Sequence, residues 1–409
     1  MTTEWTRWIC VVWLLLIPFS GNAATRAVSA GGSHSVALKN DGTVRSWGND
    51  SFGQLGDGAQ FISAIPVAVN GLPSIKDIAA GNNHTIALTT GGNVWAWGYN
   101  GQGQLGDGTF SDRATPRQVI GLASVVTIAA GAYHSAALTS DGSVWAWGSN
   151  RYGQLGDGTT TNKSIPAQVS GLSGVVAIAA GTYHALAVKS DGSVWAWGDN
   201  ELGELGDGTF VNRSTPVRVA GLTGVVAVSA GIWHSVALKN DGTVWTWGNN
   251  FYGQLGDGTT TVKATPIQVV GLNGMTAISS GEHYIVALKG DGTVWVWGRN
   301  SSGQLGDGTY APQLTPALVV NETVDGFLDL IPEVPNNIPR DKIPPFLVVA
   351  NKSGGLGATS LAVDVKGIPA PGTFASATDF GTFAAGGYNV YVAAILPTGV
   401  TYQLDSNYN

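Results

Sequence analysis

The sequence predicts an all-β protein: a β-propeller of four-stranded blades made from six 50-residue repeats, with a small β-rich C-terminal domain behind it. Three observations carry that expectation. Gly-Gln-Leu-Gly-Asp-Gly begins at Gly53 and returns at Gly103, Gly153, Gly253 and Gly303, with a Gly-Glu-Leu variant at Gly203. Nothing is inserted or deleted between copies, and so strict a period marks units that need their neighbours to bury a face. Each copy splits into four short alternating runs, and tryptophans recur in pairs from Trp95/Trp97 to Trp295/Trp297.

The copy over 126–171 stands for all six. Its first strand is expected over 126–130 (VTIAA), the second over 134–138 and the third over 144–147. The fourth is expected over 167–169, opened by Pro166, because proline has no N–H and suits the first residue of an edge strand. Ser140-Asp141-Gly142 between strands two and three reads as a tight hairpin turn in which glycine supplies the positive φ. In strand two, His134, Ala136 and Leu138 alternate with Ser135 and Ala137; in strand three, Trp145 and Trp147 alternate with Val144 and Ala146. Each unit therefore reads as a sheet with one bulky and one small face, passed from blade to blade around a ring. A buried tryptophan hides about 150–250 Å², roughly 4–6 kcal/mol gross at about 25 cal/mol/Å², so ten paired tryptophans should carry the core. The first copy has Arg45 in place of the leading tryptophan, leaving Trp47 alone. Six copies favour six blades over seven. The array opens on a first strand and ends on a fourth, so the ring closes without another element if the last strand completes the first blade; a diverged seventh blade from the C-terminal segment and an open ring are the alternatives.

The ends differ in composition. An apolar run over 9–19 (ICVVWLLLIPF), followed by small residues, reads as a signal peptide over 1–23 cleaved before Ala24, which makes the chain exported. Its removal takes away Cys10, the only cysteine, so no disulfide or cysteine-ligated metal is expected. No other stretch is long and apolar enough to span a membrane. The propeller is assigned to 24–325, a Pro-rich linker to 326–345 and the accessory domain to 346–409, with strand-like runs over 346–350, 361–365 and 389–395. The net charge is −7 and no basic run occurs, which argues against nucleic acid and anionic membrane as partners.

Gly-x-x-His followed by Asp-Gly-x-Val-Trp-x-Trp-Gly-x-Asn-x-x-Gly-Gln-Leu-Gly-Asp-Gly resembles the regulator-of-chromosome-condensation repeat, over 27–320. The resemblance implies a propeller of four-stranded blades, usually seven. The family includes exchange factors for a small nuclear GTPase that also bind chromatin. An export signal and an acidic surface set this chain apart from those. Exported bacterial members that bind and inhibit extracellular enzymes fit it better.

Little in the repeat suggests chemistry. His34, His84, His134, His184, His234 and, shifted by one, His283 occupy a single repeat slot. One histidine per blade is too widely spaced to share a zinc, whose bonds are only ~2.0–2.1 Å, so these are read as structural side chains bonding a neighbouring loop carbonyl. Asp57, Asp107, Asp157, Asp207, Asp257 and Asp307 lack the alternating series of a calcium loop and read as turn caps. No nucleophile elbow, zinc-protease or phosphate-loop motif occurs. No catalytic residue, metal or cofactor is expected.

The repeats disagree most in two loops. The residue before the histidine runs Ser33, Asn83, Tyr133, Tyr183, Trp233, and the loop after Trp-Gly-x-Asn carries Phe52, Gln102, Tyr152, Leu202, Tyr252, Ser302. Four antiparallel strands put both loops on one face of the ring. Phe52, Tyr133, Tyr152, Tyr183, Trp233 and Tyr252 are therefore the expected contact surface for a protein partner, on a non-enzymatic monomer. The alternatives are a carbohydrate-binding or hydrolytic propeller, favoured by a retained acid pair near the rim, and a cell-envelope spacer, expected if the aromatics are buried.

Overall fold

Each repeat closes on itself as one antiparallel sheet. In the third, Val125–Ala130, His134–Thr139, Val144–Gly148 and Lys163–Gln168 pair in chain order. The same order recurs in all six repeats, giving six four-stranded blades around a central channel lined by their first strands. The computed structural model describes residues 27–319 and, beyond them, the strands Phe346–Lys352, Ala358–Thr359, Phe383–Ala384, Tyr388–Ile395 and Thr401–Leu404. No helix occurs among the described residues. The Asp-Gly turns form as expected, with Gly142 at φ 79° and the Asp141 carboxylate accepting the Ser143 N–H at 3.0 Å.

Three expectations need correction. The fourth strand starts earlier, at Lys163, so Pro166 lies inside it. Pairing runs Trp145 to Gln168 and Ala146 to Ala167, then slips before Gly148 meets Lys163. The proline sits in that slipped stretch of an outermost strand, where no ladder N–H is required of it. Secondly, the faces are mixed rather than bulky against small. Ser135 lies opposite Trp147, and Ala137 opposite Trp145, so small residues of strand two share a face with the indoles. The small residues leave the indoles room to lie across the sheet. Thirdly, blade 1 is complete in its own four strands and blade 6 in its own, so the last strand does not complete the first blade.

The core is divided among the seams between blades. Trp147 of blade 3 and Ala137 beside it pack on Ile86, Leu88 and Val94 of blade 2. Trp197, Trp247 and Trp297 repeat this against blades 3, 4 and 5, and Trp97 against blade 1. The second tryptophan of each pair is fully buried, whereas Trp95, Trp145, Trp195, Trp245 and Trp295 are half-buried. The indole core is thus five side chains deep-set and five at the edge.

Polar bonds lock the same seams. The Trp147 indole N–H and the Ser135 hydroxyl both donate to the Gln104 carbonyl, at 2.8 and 2.9 Å. Trp97, Trp197, Trp247 and Trp297 donate likewise to the carbonyls of Gln54, Gln154, Glu204 and Gln254. Backbone N–H groups of Gly58, Gly108, Gly158, Gly208 and Gly258 each bond the fourth strand of the next blade. Five seams carry these bonds. Between blade 6 and blade 1 none of them occurs among the described residues, and Trp47, Val286 and Leu288 stay half-buried there.

The chain divides into two compact units, 1–328 and 329–409. In the second, Tyr388–Ile395 pairs antiparallel with Phe346–Lys352 on one side and Thr401–Leu404 on the other. A separate pair joins Ala358–Thr359 to Phe383–Ala384. The expected strands over 346–350 and 389–395 lie within two of these. The expected signal peptide over 1–23, the expected linker over 326–345 and the expected strand over 361–365 fall outside the described residues.

Candidate functional site

The loops entering strand two and leaving strand three do meet on one face, and their aromatic side chains meet across seams. Tyr133 and Tyr183 stack with centroids 6.3 Å apart and planes at 24°. Tyr152, from the other loop of blade 3, tilts against Tyr183 at 5.2 Å. Trp233 and Tyr252 of blade 5 both face His283 of blade 6, at 5.6 and 5.1 Å. Phe52 stands apart from these, edge-on to Tyr99 of blade 2 at 5.0 Å. Tyr252 is exposed and the other five expected residues are half-buried, so each ring keeps one face or edge for solvent. The rim is neither sealed nor loose.

Residues not singled out from the sequence complete it. Arg151 lies over the Tyr152 ring at 5.7 Å and Arg299 over Tyr252 at 5.5 Å, each a cation against an aromatic face. His283 is displaced from the histidine slot, which Tyr284 fills opposite Gly298, so His283 takes the variable aromatic position instead. The one-residue shift was readable in Glu282-His283-Tyr284; Tyr99, in a loop position otherwise polar, carried no signal. Tyr133, Tyr183 and Trp233 also line the mouth of the channel, a space of about 800 Å³ walled by alanine and glycine from the first strands.

The histidines are structural, with a different partner from the one expected. His84 Nε2 lies 3.0 Å from the Ser135 hydroxyl of the next blade, and that hydroxyl donates to the Gln104 carbonyl. With its proton already used, the serine can only accept, so His84 carries its proton on Nε2. His34 and His184 form the same relay through Thr85 and Ser235. Burial pushes His34 and His134 down to about 4 and His84, His184 and His234 to about 3, so all five are neutral. Among the described residues no group of three or more His, Cys, Asp or Glu side chains is placed to hold a metal.

The Gly-Asp-Gly carboxylates cap their own turns. Asp107 Oδ1 accepts the Thr109 N–H and hydroxyl, while Oδ2 pairs with Arg113 at 2.8 Å. Above it, the Asn100 amide lies among four oxygens, from Asp107, Ser111 and both groups of Thr109, at 3.1–3.2 Å. This cage holds the loop that carries the second set of rim residues.

One acid pair lies beneath the rim. Blade 4 has Glu204 where the other blades have glutamine, and Asp199 where blades 1 and 5 have asparagine. Gln254 Nε2 donates to Asn249 Oδ1 at 2.6 Å; Glu204 cannot donate in that way when ionised. Its Oε2 accepts the Leu202 N–H at 2.8 Å, while Oε1 is buried without a hydrogen-bond partner. Burial first, and then Asp199 beside it, push the Glu204 carboxyl up to about 8; burial also raises Asp199.

A repeat-built ring with five like seams and loops that vary along one rim belongs to the class of β-propellers. The chain is a member of the regulator of chromosome condensation (RCC1) repeat family: the RCC1-like domain matches residues 16–231, and the RCC1 repeat matches 241–288 and 291–327. Among solved structures, human WBSCR16 superposes with a TM-score of 0.66 at 26% identity, covering 73% of this chain and 82% of that one. Yeast RCC1 (Prp20), in its complex with Kap60, gives 0.66 at 24% identity over 73% of this chain and 75% of the other. Prp20p of Saccharomyces cerevisiae, in a study of its binding to Gsp1p and histones, gives 0.65 at 24% over 73% and 77%. At that identity the two yeast structures speak for the fold alone. No curated protein matches the chain.

Proposed function

We propose that the chain is an exported, non-enzymatic propeller that binds a partner protein through its aromatic rim. The observation that carries this reading is the pairing of Tyr133, Tyr152, Tyr183, Trp233 and Tyr252 across two seams, with ring faces left to solvent. Large, rigid side chains already held against each other lose little entropy on binding, which is why aromatic and arginine side chains lead interface energetics. Arg151 and Arg299, stacked on the outer tyrosines, add donors for partner carbonyls or carboxylates. Propellers of this family act as protein-interaction scaffolds, and the yeast member is seen with a protein partner, Kap60. Against an enzyme stand the neutral, buried histidines and the absence of any nucleophile–base pair among the described rim residues. Export rests on the apolar run over 9–19.

The test is a pull-down from culture medium and cell-surface extracts with the chain from Ala24 onward, beside the triple variant Tyr133→Ala, Tyr183→Ala, Trp233→Ala. A protein retained by the first and lost by the second, with unchanged circular dichroism, supports the rim. Equal retention by both would remove the rim from consideration.

A further inference from the structure

The turns between strands two and three, on the face opposite the rim, carry a three-residue code. It reads Lys189, Asp191 and Trp195 in blade 4, Lys239, Asp241 and Trp245 in blade 5, and Lys289, Asp291 and Trp295 in blade 6. The lysine folds back onto the other two. Lys239 Nζ lies 5.7 Å from the centroid of the Trp245 ring and 3.4 Å from Asp241 Oδ2. Lys189 takes the same place over Trp195, also at 5.7 Å. In blades 1 and 6, Lys39 and Lys289 pair with Asp41 and Asp291 at 2.9 and 2.8 Å. Blade 2 has neither charge, with Thr89 and Gly91 in their places. Lysine and aspartate are thus kept together in four blades and lost together in one.

Blade 3 alone keeps Asp141 and Trp145 without the lysine, whose position Thr139 takes. Asp141 Oδ1 accepts the Thr139 hydroxyl at 2.6 Å and the Ser143 N–H at 3.0 Å, and the Ser143 hydroxyl stands beside the carboxyl group as well. Those partners are neutral. Asp141 enters none of the described ion pairs, and no described cation lies over the Trp145 ring. Instead the three positions line a cavity of about 340 Å³, walled further by Leu122, Ser124 and Ser140. Ser124 is the one non-glycine residue with positive φ among the described residues, at 55°; Gly174, Gly224 and Gly274 hold its position before blades 4, 5 and 6. Serine is strained in the left-handed region where glycine is free, and here the exception borders the cavity.

We propose that this cavity binds a lysine side chain of a partner peptide, which supplies from outside the ammonium that blades 4 and 5 supply themselves. The ammonium meets the Asp141 carboxylate as Lys239 meets Asp241, and lies over the Trp145 ring as Lys239 lies over Trp245. Its methylene stem covers apolar surface on the way in. Either contact alone is weak at an exposed site, so the peptide groups flanking the lysine share in the binding, against Ser124 and Ser140. Lysine suits the place better than arginine, because the residue that fills it in the sister blades is a compact point charge each time. A neutral sugar stacks on an indole too, but brings no charge to Asp141. The chain's net charge of −7 favours the approach of a basic partner. Lying on the opposite face, the site does not depend on what the rim binds.

The experiment follows the indole N–H resonances of the isotope-labelled whole chain from Ala24 onward while a lysine-centred tripeptide, blocked at both ends, is titrated in. Its norleucine counterpart, n-butylammonium and maltose are titrated alongside at matched ionic strength. The Trp145 resonance, assigned by its loss in Trp145→Phe, should move saturably at millimolar lysine peptide. The norleucine peptide should bind at least about tenfold more weakly, and n-butylammonium at least about threefold. Thr139→Lys, which restores the residue of blades 4, 5 and 6, should fold with an equal or higher unfolding midpoint and bind the lysine peptide at least about tenfold more weakly. Asp141→Asn should weaken binding at least about threefold and remove its dependence on salt. A Trp145 resonance that does not move, equal affinity for the norleucine peptide, or unchanged binding in Thr139→Lys would each overturn the site. Butylammonium as tight as the peptide would overturn the peptide ligand in favour of a small amine, and a response to maltose alone would do so in favour of a sugar.

Discussion

Glu204 is a single-atom change with a consequence for the whole blade. Replacing the amide nitrogen of the other repeats by oxygen leaves a buried carboxyl beside Asp199, and the pair cannot both ionise without a penalty. The folded chain holds the Glu204 proton up to about pH 8, whereas an exposed glutamate releases it near 4.5. Between those values the folded state binds more protons than the unfolded one, so stability falls as pH rises from about 4.5 to about 8 and levels off above. At about 1.4 kcal/mol per unit the loss amounts to a few kcal/mol. Glu204→Gln restores the donor, and urea unfolding of this variant should show no decline between pH 6.5 and 8.5. A decline equal to the wild type's would refute the assignment. The five buried histidines act in the opposite direction. Their folded values lie below the ordinary 6.5, so the unfolded chain takes up protons first, and stability is lost as pH falls from 6.5 toward 4.

Within a blade, position on the third strand decides how much a tryptophan contributes. Trp147 is fully buried, packs on Ile86 and Leu88 and donates its N–H across the seam. Trp145, two residues earlier, is half-buried, and in blades 4 and 5 its counterparts Trp195 and Trp245 carry lysines over their rings at 5.7 Å. Trp147→Ala should cost about 3–5 kcal/mol, the range for emptying an aromatic site in a core, and also removes one of the two donors to the Gln104 carbonyl. Trp145→Ala should cost less than half as much. Denaturant melts of the two variants check this, and equal losses would mean that both indoles are core. The glycines of the same loops are tied to these indoles: a Cβ at Gly106, where φ is +66°, would fall on the Trp147 ring.

At the scale of the ring, five seams are alike and the sixth is different. The Trp–carbonyl bond, the loop-to-strand bond and the backbone bond between neighbouring loops that enter strand two recur from blade 1 through blade 6 and, among the described residues, do not return to blade 1. Ser35, Ala37 and Trp47 on one side, and Val286 and Leu288 on the other, keep solvent contact that their counterparts lack. Blade stability in a repeat array is a sum of intrinsic and nearest-neighbour terms, so a blade with one strong seam opens more easily than one with two. In hydrogen exchange, amides of His34–Leu38 and Tyr284–Lys289 should therefore exchange well before those of His134–Thr139 and His184–Lys189. Uniform protection across all four strands would show the sixth seam to be as strong as the rest.

The repeat period, the four-strand blade, the Asp-Gly turns and the capping role of the Gly-Asp-Gly carboxylates were all legible in the sequence, because each depends on residues near one another in the chain. The rim was legible too, in outline: both variable loops follow from strand alternation alone. What local pattern could not settle was everything decided between blades. Tyr133 and Tyr183 are 50 residues apart in the chain and 6.3 Å apart in space, and the mixed faces of each sheet follow from register, which cross-strand pairing sets. The fourth strand runs through Pro166 back to Lys163, where local pattern ends it, because the slip that accommodates a proline exists only in the paired ladder. The histidine relay needs a serine or threonine 51 residues on, and the burial of Glu204 Oε1 needs the closed loop around it. The unit and the number of its copies are written in the chain, since a blade is held by local pairing. Which side chains meet and how the blades join emerge in the folded ring alone, since those contacts bridge a whole repeat and depend on how each blade seats against the next.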